Sequence, residues 1–520
     1  MSLGGVLFFY NAGNYHLWGD EGVTAFYGKN TLRYGLPYGF DGRNLLEFSN
    51  GVYLNREFLP LLDPWGQYYV SSASQAMFGM TSFGARALFI VFGLAAVIAQ
   101  YAFVLRYFGN ARLALINVIL MMTSVIYILY SRQSRYYALG LFLTPMICHI
   151  YARHEHRPIH IGVAALLFTA FFFTNSLIGL AVLAAMGLSF LLFDDRKKTL
   201  VFFLSPLPVV VLAVGLFMFW LFSHGMPAHP DFLNNIHPFD FGRIIWLYLK
   251  DYNETQLLPA GMLMILVLLW LAVGEFRGGF DNIKKEVAII SIIVIATVII
   301  SFLTPQNSSA QHSDIRYATP LFPMLFLVQA FAVERMFSWK KWFALPLLFM
   351  VIATNLLSFM PMRSYGYEFA RENICPFDNS VKVAVQFLEK RIQHDDMVLV
   401  SPNHMLGSMA YYLADSALFC NVIGEDNANL LAAGVRLPEY IYSRETTPDW
   451  VVLFGLGVDT KHTAEHLHRL DMAQYNVHSF PIMGPDVSRP ELFARSFRPI
   501  RSFERDEGLF ILERVRETSE

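Results

Sequence analysis

Cysteine and charge are both scarce in this sequence. Three cysteines stand among 520 residues, and charged residues make up 15% of the chain, against roughly 25% in an ordinary soluble domain. So little cysteine excludes a disulfide-rich secreted scaffold, and so little charge argues against a typical cytosolic enzyme or a disordered chain. The formal net charge is −2, which gives no electrostatic basis for binding nucleic acid.

Apolar side chains are abundant instead. Hydrophobic residues make up 55% of the chain, 47 residues are phenylalanine, and the mean hydropathy is +0.41. A bilayer core about 30 Å thick needs roughly 20 apolar residues per helix. Runs without Asp, Glu, Lys or Arg occupy residues 87–105, 113–131, 136–152, 159–193, 199–222, 255–274, 287–304, 317–333 and 342–360. Most of these runs are therefore predicted to be full-length membrane spans.

The run 159–193 is too long for one span, and Thr174-Asn175-Ser176 near its middle indicates a tight turn. Dividing the run there gives ten helices, and the short apolar run Leu3–Tyr10 is a candidate for one more. The predicted fold class is therefore a polytopic α-helical membrane protein with about 10–11 transmembrane helices.

Basic residues in the short loops set the orientation, because cytoplasmic loops carry the excess of lysine and arginine. One set of alternate loops contains Arg106, Arg112, Arg153, Arg157, Arg196, Lys197, Lys198, Arg277, Lys284, Lys285, Arg335, Lys340 and Lys341. The other set contains only Arg132, Arg135, Arg243, Lys250 and Arg316. The first set is predicted to be cytoplasmic. The segments that face outside are then 19–82, 131–135, 223–254, 305–316 and everything after 361.

The composition changes after Pro361, where charged residues become frequent. Helix-like and strand-like segments alternate from there on, which is typical of a small α/β domain. Helices are predicted over 380–394, 404–413 and 461–470, strands over 397–401 and 450–454, and a hairpin from 500–503 and 509–513. The chain is thus predicted to divide into a transmembrane domain, 1–360, which includes the outer loop 19–82, and an extracytoplasmic α/β domain, 361–520.

The cysteines fit this division. Cys148 lies in an apolar run and is predicted to be a small core residue. Cys375 and Cys420 both fall in the outer tail, where a disulfide can persist. Sequence spacing does not show that their Cα atoms come close, so a disulfide and two free thiols stay open as alternatives.

An acidic pair, Asp20-Glu21, stands at the outer mouth of the first apolar segment. Acids at a membrane interface are costly and are commonly functional, although a solvated turn would explain this pair equally well. Two arginines three residues apart, Arg132 and Arg135, lie on one face of a helical turn on the same predicted side. Guanidinium groups match phosphate bidentately, and the alternative for these two is interfacial anchoring beside aromatic residues.

A third outer cluster begins at Asp314-Ile315-Arg316-Tyr317. The long outer loop adds residues of the kinds that ligate divalent metals: His224, His229, Asp231, His237, Asp240, Asp251 and Glu254. No two of them have a recognised ligand spacing. The sequence therefore assigns no metal-ligating residue and leaves a divalent metal open.

In order along the chain, these clusters resemble a known family. The order is Asp20-Glu21, Phe78-Gly79, Ala85-Arg86, Phe108-Gly109, the block Tyr130–Leu139, and Arg316-Tyr317 with Pro320 and Pro323. It is similar to the polyprenyl-phosphate-sugar-dependent GT-C glycosyltransferases, the superfamily of protein O-mannosyltransferases and lipid A aminoarabinose transferases. The resemblance covers residues 15–152 and 311–333, and the Tyr-Ser-Arg-x-x-Arg-x-Tyr block is its most specific part.

The resemblance implies an enzyme that transfers a hexosyl or pentosyl group from a lipid-linked phosphate donor to an acceptor on the extracytoplasmic face, usually with inversion. By this resemblance Asp20 is the general base on the acceptor hydroxyl, and Glu21 orients the acceptor or assists. The implied residues that bind the donor phosphate are Arg132, Arg135, Arg316 and, more loosely, Arg56.

The implied partners are a polyprenyl-phosphate sugar, a glycan, lipid or protein acceptor, and the bilayer, with no nucleic acid. No cofactor is required beyond the donor lipid. The expected location is a bacterial inner membrane, with the C-terminal domain in the periplasm. Two other classes stand as alternatives. A transporter or flippase of a lipid-linked sugar or anion would carry charges at the midplane of its spans, and a membrane-anchored binding protein would act through residues 361–520.

Overall fold

A computed structural model of the protein describes residues 2–46, 54–61, 63–155, 157–224, 241–258, 280–304, 312–353, 369–370, 373–374, 378–420, 434–441, 447–454, 470–480, 482 and 508–516. The chain folds into two compact units that are interleaved in sequence. The first unit comprises Met1–Tyr10, Phe89–Met218 and Pro230–Cys375. The second unit comprises Asn11–Leu88, Phe219–His229 and Pro376–Glu520.

Helices account for most of the chain up to residue 353. They are α1 (Ser2–Phe9), α2 (Gly19–Tyr34), α3 (Gly66–Phe78), α4 (Ser82–Phe108), α5 (Ala111–Thr123), α6 (Val125–Ser131), α7 (Tyr137–Arg153), α8 (Pro158–Thr174), α9 (Ser176–Phe193), α10 (Arg196–Leu204), α11 (Leu207–Ser223), α12 (Phe241–Glu254), α13 (Phe280–Leu303), α14 (Phe322–Trp339) and α15 (Lys341–Ala353). A 3₁₀ helix, Ile315–Leu321, leads directly into α14.

Several helices are long and apolar enough to cross a bilayer. Within the described residues these are Ser82–Phe108, Ser176–Phe193, Arg196–Ser223, Ile283–Leu303 and Ile315–Trp339. Helices α5 and α6 add a sixth span if the two, bent by 71° at their junction, cross together. The chain is therefore a multi-pass membrane protein. The predicted total of ten or eleven spans remains a prediction, since most of the run 255–274 lies outside the described residues.

The break predicted within 159–193 is confirmed. Asn175 ends α8 and begins α9, and its extended backbone (φ −161°) interrupts the helical hydrogen bonding. Its side-chain oxygen accepts a hydrogen bond from the backbone N–H of Ile178. An asparagine cap of this kind satisfies a helix end that would otherwise leave an N–H group without a partner.

Close contacts in the first unit fix the turn between α6 and α7. The Tyr127 hydroxyl donates to the carbonyl of Gly93 at 2.8 Å. A Cβ atom at Gly93 would lie 2.4 Å from that of Ser131, so only glycine allows α4 to approach the end of α6 this closely. On α7, Gly140 faces Pro320 of the 3₁₀ helix, where an added Cβ would come within 2.9 Å of the proline ring.

The second unit combines helices with a mixed sheet. Besides α2 and α3 it contains α16 (Ser380–Glu389), α17 (Leu406–Leu413), β1 (Asp396–Ser401), β2 (Ala417–Cys420), β3 (Trp450–Phe454), β4 (Tyr475–Phe480) and β5 (Leu509–Arg514). The strand order is β2-β1-β3-β5-β4. Strand β1 runs parallel to β2 and β3, and β5 runs antiparallel to β3 and β4. All five residues of β3 are buried, as its continuous apolar sequence predicted.

Several predictions for the tail are confirmed, and others are not. The strands predicted at 397–401 and 450–454 are present, and the helix predicted over 380–394 ends at Glu389. The hairpin arm predicted at 509–513 is a strand, Leu509–Arg514, and among the described residues this strand pairs with β3 and β4. The other hairpin arm, 500–503, and nearly all of the predicted helix 461–470 lie outside the described residues. Cys375 also lies outside the described residues, and Cys420 is a buried free thiol.

Polar contacts join the early part of the second unit to its sheet. The side chain of Asn44 donates to the carbonyls of Ala414 and Ala417 at 3.0 and 3.1 Å and accepts from the N–H of Phe419 at 2.8 Å. Asp415 accepts from Lys29 at 2.8 Å and from Arg33. Residues of the predicted outer loop and of the tail therefore fold as one body.

Candidate active site

The first turn of α2 carries the acidic pair. Trp18 is extended at the N-cap, and Asp20 and Glu21 fall in the first turn, where the positive end of the helix favours negative charge. Asp20 is half-buried, and the Thr24 hydroxyl donates to its carbonyl oxygen. A carboxylate in this position can accept a proton from a hydroxyl group brought to the helix end.

Glu21 is held differently. It is completely buried, and Arg86 binds both of its carboxylate oxygens, through Nε at 2.8 Å and through a terminal nitrogen at 2.5 Å. The other terminal nitrogen of Arg86 donates to the carbonyls of Ala12 and Tyr15, each at 2.8 Å. One guanidinium thus ties the start of α2 to the segment that precedes it. In the apolar interior, this pairing offsets the cost of burying both charges.

The segment before α2 is fixed from a second direction. His16 stacks on Tyr412 with ring centroids 4.3 Å apart. The Tyr412 hydroxyl accepts from the N–H of Leu17 and shares a hydrogen bond with Ser82 at 2.8 Å. Burial, together with the charges of Arg86 and Lys382, lowers the pKa of His16 to about 4. The imidazole is therefore neutral at pH 7.

Helix α2 lies against the C-terminal segment of the same unit without space between the backbones. A Cβ at Gly19 would lie 2.8 Å from the carbonyl oxygen of His404. A Cβ at Gly22 would lie 2.4 Å from the backbone of Ser408, and one at Gly407 would lie 2.6 Å from Val23. Glycines on both sides thus place Asp20 next to the 3₁₀ turn Asn403–Met405 and α17.

Arg56 is exposed in a tight turn of the same unit. Asn55 closes the turn by accepting hydrogen bonds from the N–H groups of Glu57 and Leu59 at 3.0 and 2.8 Å. Arg56 therefore projects from a fixed backbone, but the structure assigns it no role.

The paired arginines lie in the first unit, in the turn between α6 and α7. Arg132 caps α6, donates to the carbonyl of Tyr10 at 2.9 Å, and lies over the ring of Phe369. The Arg135 guanidinium stands 5.4 Å from the centre of the Tyr136 ring. Both arginines are half-buried, whereas Gln133 and Ser134 between them are buried.

Arg316 approaches the same turn from the 3₁₀ helix. Its guanidinium is 2.8 Å from Asp314 and 5.3 Å from the centre of the Tyr317 ring. The 3₁₀ helix packs against α7, with Pro320 facing Gly140. The structure thus brings the element that carries Arg316 against the helix that follows Arg135, two of the arginines that the resemblance assigned to a phosphate. Cationic groups gathered in this way can bind an anionic phosphate bidentately.

A further polar cluster occurs in the first unit. Asp251, Glu254 and His312 offer ligand atoms that all lie within 4.8 Å of one another. Asp251 and Glu254 are among the potential metal ligands that the sequence places in the long outer loop, and His312 is not. His224, another of the potential ligands in that loop, hydrogen-bonds through Nδ1 to Trp220 and Ser223, and His229, Asp231, His237 and Asp240 lie outside the described residues.

Sequence reasoning missed several residues of the α2 framework. In the sequence Arg86 stands out only as part of the Ala85-Arg86 motif, and no pattern marks His16, His404 or Tyr412. An arginine at the start of an apolar span is a usable signal, because such a charge needs a partner. The contacts of His404 and Tyr412 with α2 join distant parts of the chain and leave no local pattern.

Comparison with known proteins gives likenesses in structure but not in sequence. No family model and no curated protein matches the chain. The structure is similar to ArnT from Cupriavidus metallidurans in the apo state, with a TM-score of 0.54 and 14% identity over 98% of this chain and 96% of that one. It is also similar to the Archaeoglobus fulgidus oligosaccharyltransferase in complex with Zn and sulfate, with a TM-score of 0.53 and 12% identity over 93% and 71% of the two chains. The chain therefore shares the fold of these two proteins.

Proposed function

We propose that this protein is an integral-membrane glycosyltransferase. It moves a hexosyl or pentosyl group from a polyprenyl-phosphate donor to a hydroxyl group of a glycan, lipid or protein, with inversion, on the extracytoplasmic face of a bacterial inner membrane. The proposal extends the shared fold to an activity through the residues at the start of α2 and around Tyr136.

The observation that carries the proposal is the contrast between the two adjacent acids on α2. Glu21 is buried and fully engaged by Arg86, whereas Asp20 is half-buried in the same turn. Glu21 holds the backbone through Arg86, and Asp20, partly exposed at the start of α2, can be reached by the hydroxyl group of an acceptor. Glu21 and Arg86 are then positioning residues that fix the direction of Asp20.

The step balances with the groups present. The Asp20 carboxylate accepts the proton of the acceptor hydroxyl as its oxygen attacks the anomeric carbon of the sugar. The bond from that carbon to the phosphate oxygen breaks, and the electron pair leaves with polyprenyl phosphate. Arg132, Arg135 and Arg316 stabilise the charge that develops on the phosphate. Because the leaving group is already a phosphate, no nucleotide is needed.

The decisive test is transfer by purified protein in liposomes that contain radiolabelled polyprenyl-phosphate sugars and a membrane acceptor fraction. Asp20→Asn removes the base but keeps the size of the side chain, and we expect transfer to fall by about 10²- to 10⁴-fold. Glu57→Gln is the matched control, since Glu57 is an exposed acid of the same outer segment. It should transfer like wild type.

Other outcomes separate the rival functions. Full activity of Asp20→Asn would remove Asp20 from the mechanism. Labelled lipid that crosses the bilayer without modifying any acceptor would identify a flippase instead. Activity in an isolated 361–520 fragment would place the function in the tail.

A further inference from the structure

Helix α12 presents two acids on one face. Asp251 and Glu254 are three residues apart, a spacing that brings side chains together on a helix, and His312 approaches them just before the 3₁₀ helix. His312 Nδ1 lies 3.0 Å from an oxygen of Asp251 and 3.8 Å from an oxygen of Glu254. Three ligands of two chemical types thus converge from two segments of the first unit.

These separations are close to those of a metal site. Nitrogen and oxygen ligands bind Zn²⁺ at about 2.0–2.2 Å, which places tetrahedral ligand atoms roughly 3.4 Å apart. The measured 3.0 and 3.8 Å lie on either side of this value, and all three ligand atoms are within 4.8 Å of one another. Side-chain adjustments of a few tenths of an ångström would bring His312 and either acid to the distance that a common ion requires.

The surroundings hold the ligands in place. Asp251 is completely buried, and its second oxygen accepts from both the backbone N–H and the hydroxyl of Ser313 at 2.5 Å. Its first oxygen points to His312. Hydrogen bonds of this kind, made to the oxygen that does not bind metal, orient carboxylate ligands in proteins. Glu254 and His312 are partly exposed, so solvent reaches both side chains.

We infer that Asp251, Glu254 and His312 form a binding site for a first-row divalent cation, with Zn²⁺ the best match. One imidazole nitrogen and two carboxylates suit Zn²⁺ better than Mg²⁺ or Ca²⁺, which prefer an all-oxygen shell of six or more ligands. Three protein ligands leave a fourth position for water. The His312 ring would bind the ion through Nδ1 and keep its N–H at Nε2.

The site has a consequence for the proposed transferase, and this part rests on the proposed function. His312, Ser313, Asp314 and Arg316 follow one another along the chain. Tyr248 of α12 also donates to the carbonyl of Asp314 at 3.2 Å. A cation bound to α12 and to His312 would therefore fix the segment that presents Arg316 to the donor phosphate.

The site is tested by metal binding, without reference to activity. The full-length protein, purified in detergent and stripped with a chelator, is titrated calorimetrically with ZnCl₂, and one ion per chain is expected. Glu254→Gln and His312→Gln should each weaken binding at least tenfold. His394→Gln, which changes an exposed histidine of the second unit, should bind like wild type.

Cobalt gives a second readout that does not depend on stability. Co²⁺ in a four-coordinate site absorbs strongly in the visible range, and this absorption should appear in wild type and disappear in Glu254→Gln. Glu254 is partly exposed, so its change is less disruptive than a change of the buried Asp251. Absence of stoichiometric binding in wild type, or unchanged binding in both variants, would overturn the site and leave a His312–Asp251 hydrogen bond only.

Failure of the site and failure of the transferase proposal are distinguishable. Stoichiometric Zn²⁺ binding by a protein that transfers no sugar from any donor would refute the proposed function and leave the metal site standing. Transfer that proceeds equally in wild type and in variants unable to bind Zn²⁺ would overturn the link to Arg316.

Discussion

The two units hold their charges in opposite ways. In the second unit Glu21 and Arg86 are both buried, and each satisfies the other. In the first unit Arg132, Arg135 and Arg316 are half-buried and contact a carbonyl oxygen, aromatic rings and a neighbouring carboxylate. A buried ion pair is costly to separate, whereas a half-buried guanidinium can still meet a ligand. One region uses charge to fix a backbone, and the other is suited to binding an anion.

Breaking the buried pair is expected to have the largest effect on stability. Arg86→Met leaves Glu21 buried without its partner and should lower the free energy of unfolding by about 3–5 kcal/mol. Thermal unfolding of the purified protein in detergent measures the loss. The double variant Glu21→Leu with Arg86→Met removes both charges and should recover much of it. A single variant as stable as wild type would contradict the framework role of the pair.

The arginines of the first unit should show the reverse behaviour. Arg135→Gln and Arg316→Gln are expected to reduce transfer by about 10²- to 10³-fold, as the loss of a group that stabilises transition-state charge does, with little change in unfolding temperature. Arg135→Lys keeps the charge but not the bidentate geometry. Its rate of transfer should lie between that of wild type and that of Arg135→Gln. Arg157→Gln, at an exposed arginine, is the control. Equal loss of activity in the control would show that overall positive charge matters rather than these positions.

A smaller effect is expected where α2 meets α17. Gly407→Ala adds a methyl group 2.6 Å from Val23, and overpacking of this kind costs about 1–3 kcal/mol. Because α2 carries Asp20, transfer should fall as well. Gly162→Ala is the matched helical control, since nothing lies within 4 Å of the added atom. Unchanged stability in Gly407→Ala would show that α17 can move away from α2 at no cost.

The smallest effect concerns pH. The pKa of His16 is lowered from 6.5 to about 4 in the folded protein. Between these two pH values the unfolded chain therefore binds a proton on His16 and the folded chain does not. Stability is then complete above pH 6.5 and falls as the pH drops toward 4, by about 1–2 kcal/mol at pH 5. His16→Phe keeps the stacking on Tyr412 and should flatten this dependence between pH 7 and 5. His394→Gln, at an exposed histidine, should leave it unchanged.

Features with a local signal could be predicted from the sequence. The helix break at Asn175 and the buried strands 397–401 and 450–454 follow from composition and spacing over a few residues. The arginine turn was recognised in the same way, and the structure places Arg135 beside the Tyr136 ring and Arg316 beside the Tyr317 ring. Their role, like that of Asp20, Glu21, Arg132 and Arg56, remains a prediction.

Features that depend on distant partners could not be predicted. Arg86 stands 65 residues from Glu21, and His312 stands 61 residues from Asp251. Asn44 binds the edge of β2 across some 370 residues. Periodicity and capping rules relate residues within a few turns, so they contain no information on such pairs.

The interleaving of the second unit has a consequence for biosynthesis. Helix α2 cannot pack against α17, nor Asn44 against β2, until residues beyond 400 have been made. The ribosome adds about 5–20 residues per second, so the roughly 290 residues between Leu88 and Pro376 take about 15 to 60 s. During that time the segment with the acidic pair has been translated, but α17 and the sheet against which it packs have not. A nascent chain stalled before residue 400 should therefore expose this segment to protease, and release of the full chain should protect it.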